Sequence, residues 1–186
     1  MIQKFGNFID EMPDKQEYLI IAFSPSSISI KERWRNNGLS ADFMADYFIT
    51  FFPSSDTQAE VKSAVSFIAN ELLENAMKYY DQTAEYPISI TLRLHEDKLV
   101  FLATNSINPQ AVGTFQAYIH ELLICDPGEL YVHQLEKNAE DETDVASRLG
   151  LLTMMNDYPV KMGWNFETVQ KNPEVISVRT MVQLIL

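Results

Sequence analysis

FIANELLENAMKYYD, residues 67–81, decides the fold of this chain. From slightly upstream, Val61, Val65, Ile68, Leu72, Ala76 and Tyr79 follow steps of four, three, four, four and three. That rhythm is one face of a helix, and it predicts a core-facing stripe on a helix over 58–80. Beside the stripe, Glu71 and Asn75 stand four apart and Lys78 three further on, so all three share one side. A carboxylate and a carboxamide one turn apart are oxygen donors of the kind a hard ion such as Mg²⁺ accepts, and an ammonium within a turn can neutralise phosphate oxygens. The same residues also suit a solvated face on which Glu74 and Lys78 form an ordinary i,i+4 ion pair. Spacing alone leaves both readings open.

Upstream, residues 1–16 read as a lead-in that packs on the surface. YLIIAF, 18–23, is a continuous apolar run of strand length and is expected to be a buried strand. Pro25 and the surrounding serines then mark a loop. Lys31, Arg33 and Arg35 around Trp34 form the one basic patch, read as solvated surface. Ser40 suits an N-cap for a helix over 41–52, with Asp42 in its first turn. Phe43, Tyr47 and Phe51 recur at intervals of four and give that helix one greasy face. Pro53 ends it, and Asp56 or Thr57 can cap the long helix.

Downstream, ISITLRL (88–94) alternates as a strand, His95-Glu96-Asp97 turns, and KLVFLAT (98–104) returns as its more buried antiparallel partner. Residues 106–146 are a long excursion with helices expected over 111–124 and 128–137 and an acidic, mobile tail that includes 140–144. Residues 149–158 read as another helix. Strands over 164–169 and 175–186 are joined by a turn at Lys171-Asn172-Pro173. Segregated hairpins and helices give an α+β two-layer sandwich, with helices on one face of a mixed, mostly antiparallel sheet. No strand is followed by a glycine-rich phosphate loop, which excludes a Walker-type or Rossmann site.

The 186 residues suffice for one domain with its own core, and 46% hydrophobic with 22% charged residues is ordinary globular composition. Fourteen basic and 26 acidic side chains give 14 − 26 = −12, a balance that works against nucleic-acid backbones and anionic membranes. The lone Cys125 forbids an intrachain disulfide and is expected to pack as a small buried hydrophobe. His95, His120 and His133 lie in separate segments without ligand spacing and are read as surface or helix-face residues. The N-terminus lacks the apolar core of a signal peptide, and no run of about 18 apolar residues occurs, so a soluble cytoplasmic protein is expected.

NELLENAMKY, with Glu71, Asn75, Ala76, Lys78 and Tyr79, resembles the N-box of the Bergerat (GHKL-type, histidine-kinase-like) ATP-binding fold. That fold is shared by gyrase-type topoisomerases, histidine kinases, MutL-type proteins and anti-sigma-factor serine kinases. The resemblance covers roughly residues 16–186 and implies one ATP-binding domain in which the 106–146 insertion stands where the family keeps its lid. It implies that Asn75 ligates Mg²⁺, Glu71 orients or deprotonates the attacking group, Lys78 touches the phosphates and Tyr79 packs near the adenine. The family's Asp-x-Gly-x-Gly appears as Asn105-Ser106-Ile107-Asn108-Pro109, leaving Asn105 as an uncharged acceptor for the adenine amine and neither glycine. Its second glycine box appears as Ala146-Ser147-Arg148-Leu149-Gly150-Leu151, where Ser147 and Gly150 are to present backbone N–H groups to phosphate and Arg148 is to add charge.

The pattern most resembles small SiaB-like protein kinases related to the anti-sigma-factor serine kinases. The function this implies is transfer of a phosphoryl group from ATP–Mg²⁺ to a Ser or Thr of a small STAS-type (anti-sigma-factor-antagonist-like) partner, in a signal-transducing, partner-switching pathway. A homodimer formed through the N-terminal region goes with the same resemblance. No segment reads as a helical hairpin bearing a phosphoacceptor His, which argues against a histidine autokinase. The eroded glycine boxes point to a second function class, a GHKL-like interaction module that regulates by binding a partner without nucleotide. A third reading is an unrelated α+β domain with a chance match.

Overall fold

Among the described residues, six strands alternate side chains between a helix-covered face and a reverse face. They are β1 (Ile2–Gly6), β2 (Tyr18–Phe23), β3 (Ile88–Leu94), β4 (Lys98–Ile107), β5 (Val160–Lys171) and β6 (Glu174–Ile185). They form one sheet in the order β1-β5-β6-β4-β3-β2, and every neighbouring pair is antiparallel. The computed structural model describes residues 2–10, 17–24, 36–53, 56–140 and 149–186. Register places Leu92, Phe101, Val182 and Met162 side by side across four strands, all buried toward the helices. The row one end further holds Asn105, Val178 and Phe166.

Five α-helices among the described residues cover that face: α1 (Asn37–Ile49), α2 (Asp56–Lys78), α3 (Val112–Ile124), α4 (Pro127–Glu140) and α5 (Leu149–Asp157). α2 lies over β3 and β4, and α1 packs alongside α2. The α2 stripe is buried at Val65, Ile68, Leu72 and Ala76, with Ala69, Leu73 and Met77 widening it. Burying side chains of this size contributes roughly 1.5–3 kcal/mol each for the larger ones, which is why the helix takes this rotation. α3 is held on β1 and β5 by rings: Phe115 and Phe5 each meet Phe166 edge-on with centroids 5.8 Å apart. α4 rests on α5. The α+β sandwich with helices on one face is as expected, and the sheet is antiparallel throughout rather than mixed.

Several expectations are corrected. α1 begins at Asn37, so Ser40 lies inside the helix and its N–H bonds the Asn36 carbonyl instead of capping. Its inward face is Ala41, Met44, Ala45 and Phe48, while Phe43 is 55% and Phe51 40% exposed. The 43/47/51 ladder runs along the outer side, and only Tyr47 reaches back to the core. Strand β2 is not buried but an edge strand whose outward residues Tyr18 and Ile20 are half exposed. The lead-in contains β1, paired with β5, after which the chain crosses the reverse face. There Asn7 N–H donates to the Met162 carbonyl at 2.8 Å and Gln183 Nε2 donates to the Asn7 carbonyl at 2.6 Å. Cys125 is exposed, because it terminates α3 and points away from the sheet's core.

Candidate functional site

The C-terminal half of α2 presents the polar cluster at the seam with α5. Glu71, Glu74 and Asn75 are half-buried beside the apolar stripe, and Lys78 and Tyr79 are exposed at the helix end. Tyr79 therefore does not complete the core stripe, because the helix stops at Lys78 and the stripe with it. The Tyr79 N–H bonds the Asn75 carbonyl at 3.1 Å, and Lys78 Nζ stands 5.5 Å from the Tyr79 ring centroid. Ala76 and Met77 pack on Ile88, with Phe23 and Tyr80 around them, and this small second cluster anchors the end of α2 to β3. Asn70 Nδ2 donates to Glu74 Oε1 at 2.9 Å, which engages that carboxylate along the helix.

Glu71 is altered by its surroundings. Burial comes first and the nearby Glu74 carboxylate second, and both push its carboxyl above the usual glutamate range. Its carboxylate lies against Gly150 in the first turn of α5, so the two motifs that resemble the N-box and the second glycine box do meet in space. Phe67 stacks on Tyr158 with centroids 5.5 Å apart and fixes the two elements' separation nearby. Ser147 and Arg148 lie outside the described residues, as do the basic segment at 31–35 and residues 141–144 of the acidic stretch.

Asn105 is 5% exposed on the helix-covered face of β4, and its Nδ2 donates to the Ser106 carbonyl at 2.8 Å. The same carbonyl accepts the Asp81 N–H at 3.1 Å. Asp81 is a buried carboxylate that the sequence reading passed over. Its Oδ1 accepts from Thr83 N–H at 2.9 Å and Thr83 Oγ1 at 2.7 Å, tying the loop after α2 to the end of β4. The Asp-x-Thr spacing is the signal that could have found it, since such pairs close local turns. Asn108 likewise caps the turn that enters the insertion, accepting the Gln110 N–H at 2.9 Å.

The donor set fits a magnesium ion only in company. Among the described residues no group of three or more His, Cys, Asp or Glu side chains could hold a metal. A hard ion here would take the Asn75 carboxamide oxygen and complete its shell from phosphate and water, the usual habit of Mg²⁺. The first turn of α5, whose N–H groups face outward from the helix start, is also the place Glu71 approaches at Gly150.

Fold and seam together define an α+β sandwich with a polar helix end facing a short helix's first turn. No protein-family model matches the sequence, and no curated protein does. Among solved structures the chain is similar to one described as "The crystal structure of SiaB-SiaC complex from Pseudomonas aeruginosa". The likeness has a TM-score of 0.58 at 15% identity and covers 90% of this chain and 89% of that one. It is a likeness of fold. No described helix is long and apolar enough to cross a membrane.

Proposed function

We propose that the protein is a serine/threonine kinase of the GHKL type, which binds ATP with Mg²⁺ along α2 and α5 and phosphorylates a small partner protein. The observation that carries this reading is the convergence of a half-buried Glu71, its carboxyl raised by burial, with the first turn of α5 on the helix side that bears Asn75 and Lys78. Bound ATP–Mg²⁺ would supply the phosphoryl group and draw charge from its oxygens. Asn75 would hold the ion through its carboxamide oxygen, and the exposed Lys78 ammonium would face the phosphates. Glu71 would accept the hydroxyl proton of the incoming Ser or Thr, a task that a raised carboxyl pKa serves because the ionised form is then a stronger base. Tyr79 would pack against the base, Asn105 would accept from its amine, and Arg148 with the backbone N–H groups of Ser147 and Gly150, which a change of side chain leaves in place, would complete the phosphate end. The partner in this reading is a STAS-type protein, as the naming of SiaB with SiaC in the structural neighbour supports a dedicated protein partner.

One observation favours the runner-up, an interaction module that works without nucleotide. Asn105 is buried with its amide engaged by Ser106, and Ile107 is buried where the resembled fold has glycine. Thermal stability with ATP or ADP, with and without Mg²⁺, separates the two. Ligand at 100 times its dissociation constant stabilises by roughly 2.7 kcal/mol. The kinase reading expects a Mg²⁺-dependent shift that Asn75→Ala abolishes. Absence of any shift at millimolar nucleotide leaves the module reading standing, and a shift unchanged in Asn75→Ala places nucleotide elsewhere.

A further inference from the structure

While Glu71 keeps its place, the first turn of α5 has no room for a side chain at Gly150. A Cβ there would overlap Oε2 of Glu71 and stand 3.0 Å from its Cδ and 3.6 Å from its Cγ, the three nearest atoms it would meet. The three atoms nearest to that space all belong to one side chain, the carboxylate end of Glu71. Backbone geometry does not explain the glycine, since the only positive φ recorded for a described glycine is at Gly6. Helix propensity argues against it too, because Ala is favoured over Gly inside a helix. Elsewhere the picture differs: a Cβ at Gly38 or Gly113 would meet nothing within 4 Å.

Both walls of this seat are fixed. Ile68 and Leu72 bury α2 on either side of Glu71 along its stripe, and Leu151, Leu152 and Met154 bury α5 immediately after Gly150. The stacked Phe67 and Tyr158 rings clamp the same pair of elements. A carboxylate on a long side chain would otherwise distribute over several rotamers. Here the missing Cβ admits it to one place between two anchored helices.

We propose that Gly150 is a positioning residue for Glu71: the first turn of α5 seats the carboxylate, so that turn and the proton-accepting group move as a unit. What Glu71 does once seated rests on the phosphoryl-transfer reading above; the seat itself does not. The test uses the full chain and the variants Gly150→Ala, Glu71→Asp and both together. In the first arm the Glu71 carboxyl is titrated by carbon-13 NMR without ligand. Gly150→Ala is expected to return it to the ordinary glutamate range by expelling it toward water, and an unchanged, raised titration overturns the seat.

The second arm measures phosphoryl transfer from ATP. Gly150→Ala is expected to lower kcat at least ~10-fold with KM for ATP within about twofold, the pattern of a misplaced group and not of lost binding. In the double variant Asp, one methylene shorter, clears the added methyl, so kcat is expected to rise at least ~3-fold above Gly150→Ala. Strictly multiplicative losses in the double variant overturn the proposal. If the native protein transfers no phosphate, the kinase reading fails and the titration alone still decides the seat.

Discussion

Two phenylalanines of α1 provide a sharp test of the fold, because one is buried and the other lies on the outer side of the same helix. Phe48 is fully buried, with its ring edge-on to Tyr47 at 5.6 Å and tilted against Phe51 at 5.9 Å. Phe43 is 55% exposed and meets Tyr47 at 6.5 Å. Five residues apart on a helix, the two side chains diverge by about 140°. Truncating a buried Phe to Ala costs about 3–5 kcal/mol through lost transfer energy and the cavity left behind. In a chain of this length each kcal/mol is worth roughly 2–4 °C, so Phe48→Ala should lower Tm by about 6–20 °C. Phe43→Ala gives up a partly wetted ring and gains helix propensity, so it should change stability by no more than about 0.5 kcal/mol. Circular-dichroism melts at two protein concentrations give both numbers and separate self-association from folding. If Phe43→Ala loses as much as Phe48→Ala at both concentrations, the ladder Phe43, Tyr47, Phe51 faces inward and the placement of α1 is wrong.

Other consequences follow from the same physics. The folded carboxyl of Glu71 titrates above its ordinary value of 4.5, so between those two values the folded protein holds a proton the unfolded chain has released. Stability therefore falls as pH rises through that window, and Glu71→Gln should flatten the decline; Glu71 is only half-buried, so the expected gain at pH 7 is about 1–3 °C and near zero at pH 4. A melt series in which the variant is no more stable than the native chain at pH 7 contradicts the burial assigned to this group. At Gly163 a Cβ would stand 2.7 Å from Asn7 C and from Phe8 Cα, both backbone atoms that cannot rotate aside. Gly163→Ala should destabilise by about 1–3 kcal/mol and release the Asn7 amide to rapid hydrogen exchange, since overpacking must displace the strap on the reverse face. An amide that stays protected refutes that contact.

How much of this was legible in the sequence depended on where each element's partners lie. α2 and the β3–β4 hairpin were readable because a long stripe and a strict alternation each encode a face in local order. α1 was legible as a helix with one greasy face but not in its rotation, because aromatic spacing of four marks one side of a helix without saying which side; the small residues Ala41 and Ala45, with Met44 and Phe48, let α1 pack against α2. β1 went unseen because IQKFG is short and mostly exposed, with no run or strict alternation of apolar residues, and becomes a strand only when β5 offers its edge. β2 reads as buried by composition, yet an edge strand keeps its apolar residues half in water because no neighbour lies beyond it.

The site divides the same way. Glu71, Asn75 and Lys78 were placed on one side by helical arithmetic, whereas Tyr79 fell off the stripe because the helix ended first. Gly150 could be read as a remnant of a phosphate turn, but its contact with Glu71 is tertiary and no spacing rule reaches across the insertion to state it. That contact changes what the motif means. A glycine retained for phosphate would leave its open side to the ligand, whereas here the open side is taken by a carboxylate, a group of the same sign as phosphate. Any phosphate that reaches α5 must therefore approach along its remaining N–H groups or move Glu71. Gly150→Ala and Asn75→Ala should accordingly act on different quantities, the first on the placement of Glu71 and the second on nucleotide binding.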